Sequence, residues 1–365
     1  MRPTYLEVNL SQLRKNLEAI SAHVSPAKVM PMIKANAYGH GIDGVAPFIE
    51  PYVDYIGVAL VEEGVHLREL GLRKPILVAG ATLPEQVPSF AEYDLTLTGS
   101  SSELLDIAEE VSRSTGNRIK THLKIDTGME RVGVREYEAE AFILKALAYK
   151  HLDIEGIYTH LANSELADRS YSLMQLERFQ QALDIYNRHS APVPPLRHVC
   201  NSGGILNLPE AHFDMVRPGV LFYGVYPGEE VDRVVEVKPA LTWRSRVSFS
   251  KQTRPGRPIS YGSLWQAEAE TGIVTIPCGY ADGYFRRMTN QAQVVIHQKK
   301  YPQVGRICMD QFMVNVGEDD IKVGDQVTLL GDGIRPEDLA QWTGTNEYEV
   351  MTNISARVPR VYINE

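Results

Sequence analysis

Eight short apolar segments alternate with helix-like segments between residues 29 and 219, and this alternation restricts the possible folds more than any other feature. The predicted strands are VMPMI (29–33), YIGVA (55–59), PILVAG (75–80), LTLTG (95–99), IKTHLKI (119–125), IEGIYTH (154–160), LRHVCN (196–201) and FDMVRPG (213–219). The predicted helices between them cover 41–50, 60–70, 84–93, 101–114, 136–149 and 171–189. Because crossover helices connect parallel strands, eight such units predict an α/β fold, a (β/α)8 TIM-type barrel.

The sequence pattern changes after residue 235. Short β-type segments with Gly, Pro or Asp at the turns follow, such as GIVTIPCGYADGY (272–284) and KVGDQVTLLGDG (322–333). This texture is typical of antiparallel strands joined by tight turns. We therefore predict two domains, a barrel over residues 1–235 and a C-terminal, mostly β domain over residues 236–365.

Composition excludes several classes of protein. The formal net charge of −9 and the lack of a basic stripe argue against nucleic-acid binding. No apolar run reaches the ~18 residues of a membrane span, and the N-terminal segment lacks the apolar core of a signal peptide. The chain has no HExxH motif and no Cys/His pair at zinc spacing, so we expect no metal site. Three scattered cysteines, Cys200, Cys278 and Cys308, imply no disulfide framework and favour the cytoplasm.

Polar side chains stand at the ends of five predicted strands. Lys34 ends the first strand, Lys124 the fifth and His160 the sixth, while Asn201 and Arg217 lie at the ends of the seventh and eighth. Catalytic residues of such barrels occupy the C-terminal ends of the strands. Any one of these residues is equally compatible with a solvated strand end, but their convergence on one rim favours an active site.

Small residues after the last two strands predict a phosphate site. Ser202 offers a hydroxyl, and Gly203, Gly204 and Gly219 let backbone N–H groups approach an anion closely. An ordinary turn is the alternative for either segment alone. A phosphate site and a reactive lysine on one rim together indicate pyridoxal 5'-phosphate, which needs both.

Nine motifs in order over both predicted domains resemble the alanine racemase family, whose members use pyridoxal phosphate. The motifs are IKANAYGHG (33–41), HLKIDTGMERVG (122–133), GIYTHLANS (156–164), HVCNSGGIL (198–206), DMVRPGVLFYG (214–224), ISYGSLW (259–265), IPCGYADGY (276–284), VGRICMDQ (304–311) and ISARVPRVY (354–362). The resemblance implies interconversion of L-alanine and D-alanine, which supplies D-alanine for cell-wall peptidoglycan.

The resemblance also implies a two-base mechanism on a pyridoxal phosphate aldimine. Lys34 would hold the cofactor and act as one acid/base, and Tyr261 would be the opposite base. In this family the tyrosine comes from the β domain of the partner subunit, so the resemblance implies a homodimer with shared active sites.

Further roles carry over by resemblance to matching positions. Arg131 and Met309 would bind the substrate carboxylate, and Arg217 would face the pyridine nitrogen of the cofactor. Lys124 would be carbamylated and orient Arg131, although an ion pair with Asp126 is an open alternative for it. The cofactor-binding residues so implied are Lys34, Tyr38, His160, Asn201, Ser202, Arg217, Gly219 and Val220.

Three positions depart from the family pattern, and one of them is Trp265, which stands where smaller residues or tyrosine are also found. Ala356 stands where several relatives carry a tyrosine that reaches the phosphate region, and Glu130 replaces a frequent glycine and adds charge near Arg131.

The nearest alternative function is that of a serine or broader-specificity racemase of the same fold. A basic-amino-acid decarboxylase would need a glycine-rich phosphate loop and a catalytic cysteine that we cannot place. A non-catalytic cofactor-binding barrel would not need the C-terminal domain.

Overall fold

A computed structural model of the chain describes residues 2–364, which form two compact units. The first unit comprises Leu13–Ala37 and Ile42–Lys238. The second comprises the N-terminal residues up to Gln12, Tyr38–Gly41 and the chain from Pro239 onward. Residues 1–235 were predicted to form the barrel domain, whereas contacts place the segment up to Gln12 and Tyr38–Gly41 in the second compact unit.

The first unit contains all eight predicted parallel strands. They are Lys28–Val29, Ile56–Val58, Ile76–Val78, Thr96–Gly99, Ile119–Asp126, Leu152–Tyr158, Leu196–His198 and Met215–Val216. The six from Ile56 to His198 pair in chain order, and the last strand pairs with the first. A short additional strand, Val134–Arg135, pairs with the end of Ile119–Asp126.

Backbone hydrogen bonds close these strands into a barrel. Ile33 N donates to Gly57 O at 2.8 Å on one side of the first strand. Arg217 N donates to Cys200 O at 2.9 Å on the other side of the ring. Side chains from six barrel segments fill the interior: Met30, Tyr55, Leu77, Tyr158, Leu196 and Met215. The fold prediction of a TIM-type barrel is confirmed.

Helices follow the strands as the crossover pattern predicts. They are Ile42–Ile49, Val61–Glu69, Val87–Glu92, Ser102–Thr115, Ala139–Ala148, Ser170–Arg188 and Ser202–Asn207, with Leu10–Val24 before the first strand. Ser101 caps one of them by accepting from Leu104 N at 3.2 Å, and Gly116 ends the same helix with φ +77°. A hydroxyl at the start and a left-handed glycine at the end are strong helix boundaries.

The second unit is built on a nine-stranded sheet. In spatial order its strands are Phe249–Thr253, Thr271–Ile276, Phe312–Gly317, Lys299–Val304, Gln293–Ile296, Gln326–Leu330, Leu241–Arg246, Tyr5–Asn9 and Arg360–Ile363. All neighbours are antiparallel except the last two, which run parallel. Helices Pro336–Thr343 and Glu347–Thr352 precede the final strand. The predicted C-terminal β domain is thus confirmed, with one strand supplied by the N-terminus.

The N-terminal strand Tyr5–Asn9 was not predicted, because nothing local marks its partners. It pairs with Leu241–Arg246 on one side and with Arg360–Ile363 on the other. Alternate residues of the strand are buried, which fits a sheet with one face on the core. Within residues 2–364, no helix is both long enough and apolar enough to cross a membrane.

Asn16 joins the helix Leu10–Val24 to the chain that leaves the barrel. Its Nδ2 donates to Phe222 O at 3.1 Å and to Lys238 O at 2.9 Å. Its Oδ1 accepts from Lys238 N at 3.0 Å, and the side chain is buried. Three backbone polar groups therefore depend on this one amide.

We predict that Asn16→Ala lowers the free energy of unfolding by about 2–4 kcal/mol, because it leaves buried backbone groups without partners. Urea unfolding followed by circular dichroism measures the change. Asn187→Ala, on an exposed position of Ser170–Arg188, is the control and should stay within about 0.5 kcal/mol of wild type. Equal effects of the two substitutions would contradict the role of Asn16.

Candidate active site

Lys34 begins a left-handed turn directly after the first barrel strand. Residues 35–38 all have positive φ, from +51° to +55°. Left-handed backbone costs residues with a Cβ atom roughly 1–2 kcal/mol each, so the turn needs external support. Part of that support is Asn36, whose Oδ1 accepts from Ile42 N at 2.8 Å. The small residues of KANAY limit the steric cost, and the turn places Lys34 at the strand end.

Glu63 is the second support of this turn. Its Oε1 accepts from Ala35 N at 2.7 Å, and its Oε2 accepts from Ala59 N at 2.8 Å and Leu60 N at 3.1 Å. One carboxylate thus joins the turn to the start of the helix Val61–Glu69. The sequence analysis did not single out Glu63, because an acidic residue in the first turn of a helix is common.

The Lys34 amine is half-buried at the mouth of the barrel. Burial lowers its pKa, and the positive charge of Arg131 lowers it further. The carboxylate of Glu63 opposes this shift without cancelling it. The amine is therefore easier to deprotonate than that of an exposed lysine, as a nucleophile or base requires.

Lys124 is fully enclosed at the end of the fifth barrel strand. Its Nζ donates to Ile125 O at 3.0 Å and lies 5.4 Å from the ring centroid of Tyr158. Burial lowers the pKa of Lys124 to about 7, the attraction of Asp126 partly offsets this, and Arg217 and Arg131 lower it further. Near neutral pH a large fraction of this buried amine is therefore unprotonated.

Asp126 holds the loop after this strand rather than forming an ion pair with Lys124. Its Oδ1 accepts from the N–H groups of Gly128, Met129 and Glu130, and its Oδ2 accepts from Arg131 N at 3.1 Å. Both carboxylate oxygens are thus engaged by backbone. The charge of Glu130 is paired with Arg135, at 3.0 Å.

Arg217 lies at the centre of the barrel mouth and is almost fully buried. Its Nη1 donates to His198 Nδ1 at 2.8 Å, and its Nη2 donates to Thr159 O and Val199 O at 2.8 Å each. Nη2 also lies 3.2 Å from His160 Nδ1. Nε makes no hydrogen bond to any residue from 2 to 364, so one edge of the guanidinium can meet a ligand.

His160 reports how closely the charged groups converge. Burial lowers its pKa well below the ordinary value, and Arg217, Lys124, Arg131 and Lys34 each lower it further, in that order. Four basic side chains, which follow or end three barrel strands, thus act on one imidazole, which stays neutral. This mouth is electrostatically suited to an anionic ligand.

The turns after the last two strands form a cradle of hydrogen-bonding groups. Ser202 Oγ accepts from Gly219 N at 2.9 Å and from Leu221 N at 3.3 Å, which joins the two turns. Asn201 caps the short helix that follows, through Gly204 N at 3.0 Å. The buried N–H of Val220 has no acceptor within the described part of the chain. An unpaired buried donor beside a hydroxyl fits a phosphate.

The second unit contains the other residues that the resemblance implied. Tyr261 and Met309 line an open cavity of about 840 Å³ with Tyr280, Arg286 and Arg306. Tyr261 is 71% exposed and Met309 is 53% exposed, although both are large apolar groups. Gly262, with φ +75°, turns the chain sharply after Tyr261.

Tyr38 is buried and belongs to the second unit, where its ring lies 6.1 Å from that of Tyr348. Burial raises the pKa of Tyr38, which keeps the phenol protonated as a hydrogen-bond donor. Ala356 is exposed, and its small side chain supplies no polar group there. Within residues 2–364, no group of three or more His, Cys, Asp or Glu could hold a metal ion.

Several residues of the site were missed from sequence. Tyr158 and His198 stack at 4.5 Å, and His122 contacts the same His198 ring at 5.0 Å. His122 and Tyr158 each stand two residues before a predicted site residue. Because strand side chains alternate, residues two positions apart point to the same side of a strand, so His122 points the same way as Lys124 and Tyr158 the same way as His160. This spacing could have identified both residues from the sequence.

Both halves of the chain match families of known proteins. The family described as "Alanine racemase, N-terminal domain" matches residues 8–227, and "Alanine racemase, C-terminal domain" matches residues 240–362. An alanine racemase of Carboxydothermus hydrogenoformans is 43% identical over 370 residues, covering 100% of both chains.

Solved structures are equally similar. Alanine racemase of Clostridium difficile 630 superimposes with a TM-score of 0.95 at 37% identity, covering 100% of this chain and 97% of that one. Alanine racemase of Bartonella henselae with covalently bound pyridoxal phosphate gives 0.91 at 26% identity, covering 100% of both. Family matches to both halves and full-length similarity at this identity agree with the geometry of the barrel mouth, and the chain belongs to the alanine racemase family.

Proposed function

We propose that this protein is a pyridoxal-phosphate-dependent alanine racemase that interconverts L-alanine and D-alanine. The observation that carries the proposal is the barrel mouth, where a lysine of lowered pKa, a cationic cluster and an unsatisfied N–H beside Ser202 occur together. A buried amine suits a covalent link to an aldehyde, and the cradle suits a phosphate.

The residues present fit pyridoxal phosphate. Ser202, Gly219 and Val220 would hold its phosphate, with Tyr38 as a further phenolic donor. Arg217 would present its Nε edge to the pyridine nitrogen, and Lys34 would bind the aldehyde carbon. The chemistry that this cofactor supplies when bound is acidification of the Cα–H bond of an amino acid.

Arginine in this position has a chemical consequence. The guanidinium is a donor without acceptor capacity, and even its lowered pKa of about 10 keeps it charged at neutral pH. Arg217 would donate to the pyridine nitrogen and leave it unprotonated, so the cofactor held there would be a weaker electron sink. Weaker electron withdrawal favours return of a proton to Cα over transamination or decarboxylation.

Racemisation requires proton transfer at two opposite faces of Cα. Lys34 would serve one face. We assign the other to Tyr261 from a second copy of the chain, together with Met309 and Arg131 for the substrate carboxylate. The exposure of Tyr261 and Met309 at an open cavity supports a homodimer whose sites are completed by the partner subunit.

Lys124 would act through a carbamate. Carbamylation joins a neutral amine to CO2 and releases one proton, so the low pKa of Lys124 favours it. The product is an anion, which would place a negative charge in a crowded cationic site and attract Arg131. Engagement of Asp126 by the loop backbone leaves room for this role.

The cellular role would be supply of D-alanine for cell-wall peptidoglycan. We place the protein in the cytoplasm, the compartment that keeps thiols reduced, because Cys200, Cys278 and Cys308 are all free.

The first test measures racemisation of L-alanine and L-serine by the purified protein with pyridoxal phosphate. We expect alanine to be the better substrate, because Tyr261 and Met309 from a second copy of the chain would close the site over a small side chain, and extra atoms would then cost about 1–3 kcal/mol. Borohydride reduction and peptide mapping should place the pyridoxyl group on Lys34, and Lys34→Ala should lose the label and the activity.

Two results would contradict this assignment. A pyridoxyl label on Lys124 or another lysine would remove Lys34 from its role. Faster turnover of lysine or arginine than of alanine would favour a broad-specificity racemase, and Ala356 would then be the first position to exchange for tyrosine.

The second test concerns Lys124. We predict that Lys124→Ala lowers kcat/KM roughly 10- to 100-fold by misplacing Arg131, and that small carboxylates partly restore it. In wild type, added CO2 should raise activity above pH 7, where the amine is largely neutral, and less as pH falls below 7 and it protonates. Lys120→Ala on the same strand, whose Nζ pairs with Asp94 at 2.9 Å, is the control. Full activity of Lys124→Ala without additive would leave only a structural role.

The third test concerns sharing of the site. Lys34→Ala and Tyr261→Phe are each expected to be inactive as homodimers. In a randomly mixed population half the dimers are hybrids, each with one complete site of two, so activity should return to about a quarter of wild type. Mixing Lys34→Ala with a chain that carries both Lys34→Ala and Tyr261→Phe cannot create a complete site and is the control. If the first mixture restores nothing, each chain completes its own site.

A further inference from the structure

A line of buried polar side chains runs through the barrel from Arg217 to Glu155. Arg217 Nη1 lies 2.8 Å from His198 Nδ1, and His198 Nε2 lies 2.8 Å from His122 Nδ1. His122 Nε2 then lies 3.3 Å from Glu155 Oε1. The histidines and Arg217 are almost fully buried, whereas the Glu155 side chain is 23% exposed. The line therefore connects the site to a carboxylate that is partly in solvent.

Arg217, at one end of this line, sets the direction of every hydrogen bond in it. Arginine can only donate, so His198 Nδ1 must accept. A neutral imidazole that accepts at Nδ1 carries its proton on Nε2, which therefore donates to His122 Nδ1. By the same argument His122 carries its proton on Nε2 and donates it to Glu155. Burial lowers the pKa of both imidazoles, which keeps them neutral.

Glu155 is held as a carboxylate at the end of the line. Tyr55 Oη donates to Glu155 Oε1 at 2.5 Å and also lies 2.5 Å from Thr96 Oγ1. Burial raises the pKa of Glu155, but hydrogen bonds from His122 and Tyr55 outweigh this and lower the pKa below its ordinary value. An ionised carboxylate only accepts hydrogen bonds. Glu155 can therefore accept the last hydrogen bond of the line, and the direction of the hydrogen bonds cannot be reversed.

The neighbouring residue is also adapted to this line. A Cβ atom on Gly156 would lie 2.5 Å from His122 Cγ and 2.6 Å from His122 Nδ1. Glycine at 156 therefore leaves the space that the His122 ring occupies. The pair Glu155-Gly156 supplies both the acceptor for this ring and the room for it.

We propose that Glu155 is a positioning residue for Arg217: by accepting the Nε2 proton of His122, it fixes the tautomers of both histidines and holds the guanidinium in place. Without this acceptor the proton of His122 can move to Nδ1. The N–H groups at His122 Nδ1 and His198 Nε2 would then face each other, so His198 would have to move its own proton to Nδ1. His198 would then present N–H to Arg217 and release its Nη1. The inference rests on the proposed function only for the ligand that Arg217 meets.

The test uses selectively 15N-histidine-labelled protein, purified as the holoenzyme. In wild type, the imidazole NMR signals of His122 and His198, assigned with single His→Gln variants, should both show protonated Nε2 and unprotonated Nδ1. Glu155→Leu removes the acceptor and should produce mixed tautomers of both rings. Glu155→Gln, whose amide oxygen still accepts, should keep the wild-type pattern. Asp153→Leu, which removes an exposed carboxylate from the same strand, is the matched control.

Kinetics provide the second readout. For Glu155→Leu we expect kcat for alanine to fall roughly 10- to 100-fold with little change in KM, because a misplaced guanidinium affects the reacting state more than binding. Glu155→Gln should retain most of the wild-type kcat. A wild-type His122 protonated on Nδ1 would overturn the proposal without any variant, even if Glu155→Leu fails to fold. Unchanged tautomers in Glu155→Leu would overturn it as well. The tautomer readout needs no turnover, so failure of racemisation in wild type would contradict the proposed function alone.

Discussion

Crowding of positive charge at the mouth of the barrel is the constraint on which the rest of the site depends. Lys34, Lys124, Arg131 and Arg217 add to the effect of burial in lowering the pKa of His160. After burial, Arg131 also lowers the pKa of Lys34, and Arg217 and Arg131 lower that of Lys124. Hydrogen bonds hold two of these groups: Lys124 donates to a backbone carbonyl, and Arg217 donates to two backbone carbonyls and to His198. The excess of positive charge suits a ligand of opposite charge. Burial is the main cause of the lowered pKa of Lys34 and Lys124, and repulsion by the arginines adds to it. Both effects make these amines easier to deprotonate than exposed lysines.

The surrounding backbone is organised to hold these cations. Glu63 and Asn36 secure the left-handed turn at Lys34. Asp126 accepts hydrogen bonds from the loop that ends in Arg131, and Ser202 joins the two turns that follow the last two barrel strands. In each case one polar side chain satisfies the backbone of an irregular segment, so the charged side chains stand on rigid supports.

The alternating strands and helices of the barrel, and the polar residues at the strand ends, could be predicted from the sequence because both follow from local patterns. Lys34, Lys124 and Arg217 could be located in this way without a structure. Glu63 and Glu155 could not, because a carboxylate in a helix turn or on a strand gives no sign of which distant N–H it meets. The left-handed turn at KANAY was equally hidden, since alanine ordinarily favours right-handed helix.

The N-terminal strand has a consequence for how the protein is made. Glu7 contacts Arg244, 237 residues away, and Tyr5–Asn9 also pairs with Arg360–Ile363, the last strand of the chain. During synthesis the barrel segments leave the ribosome before either partner strand exists, so they can fold while Tyr5–Asn9 waits unpaired. The sheet of the second unit is completed only after Arg360–Ile363 has been made, so its formation has to wait for this long-range contact.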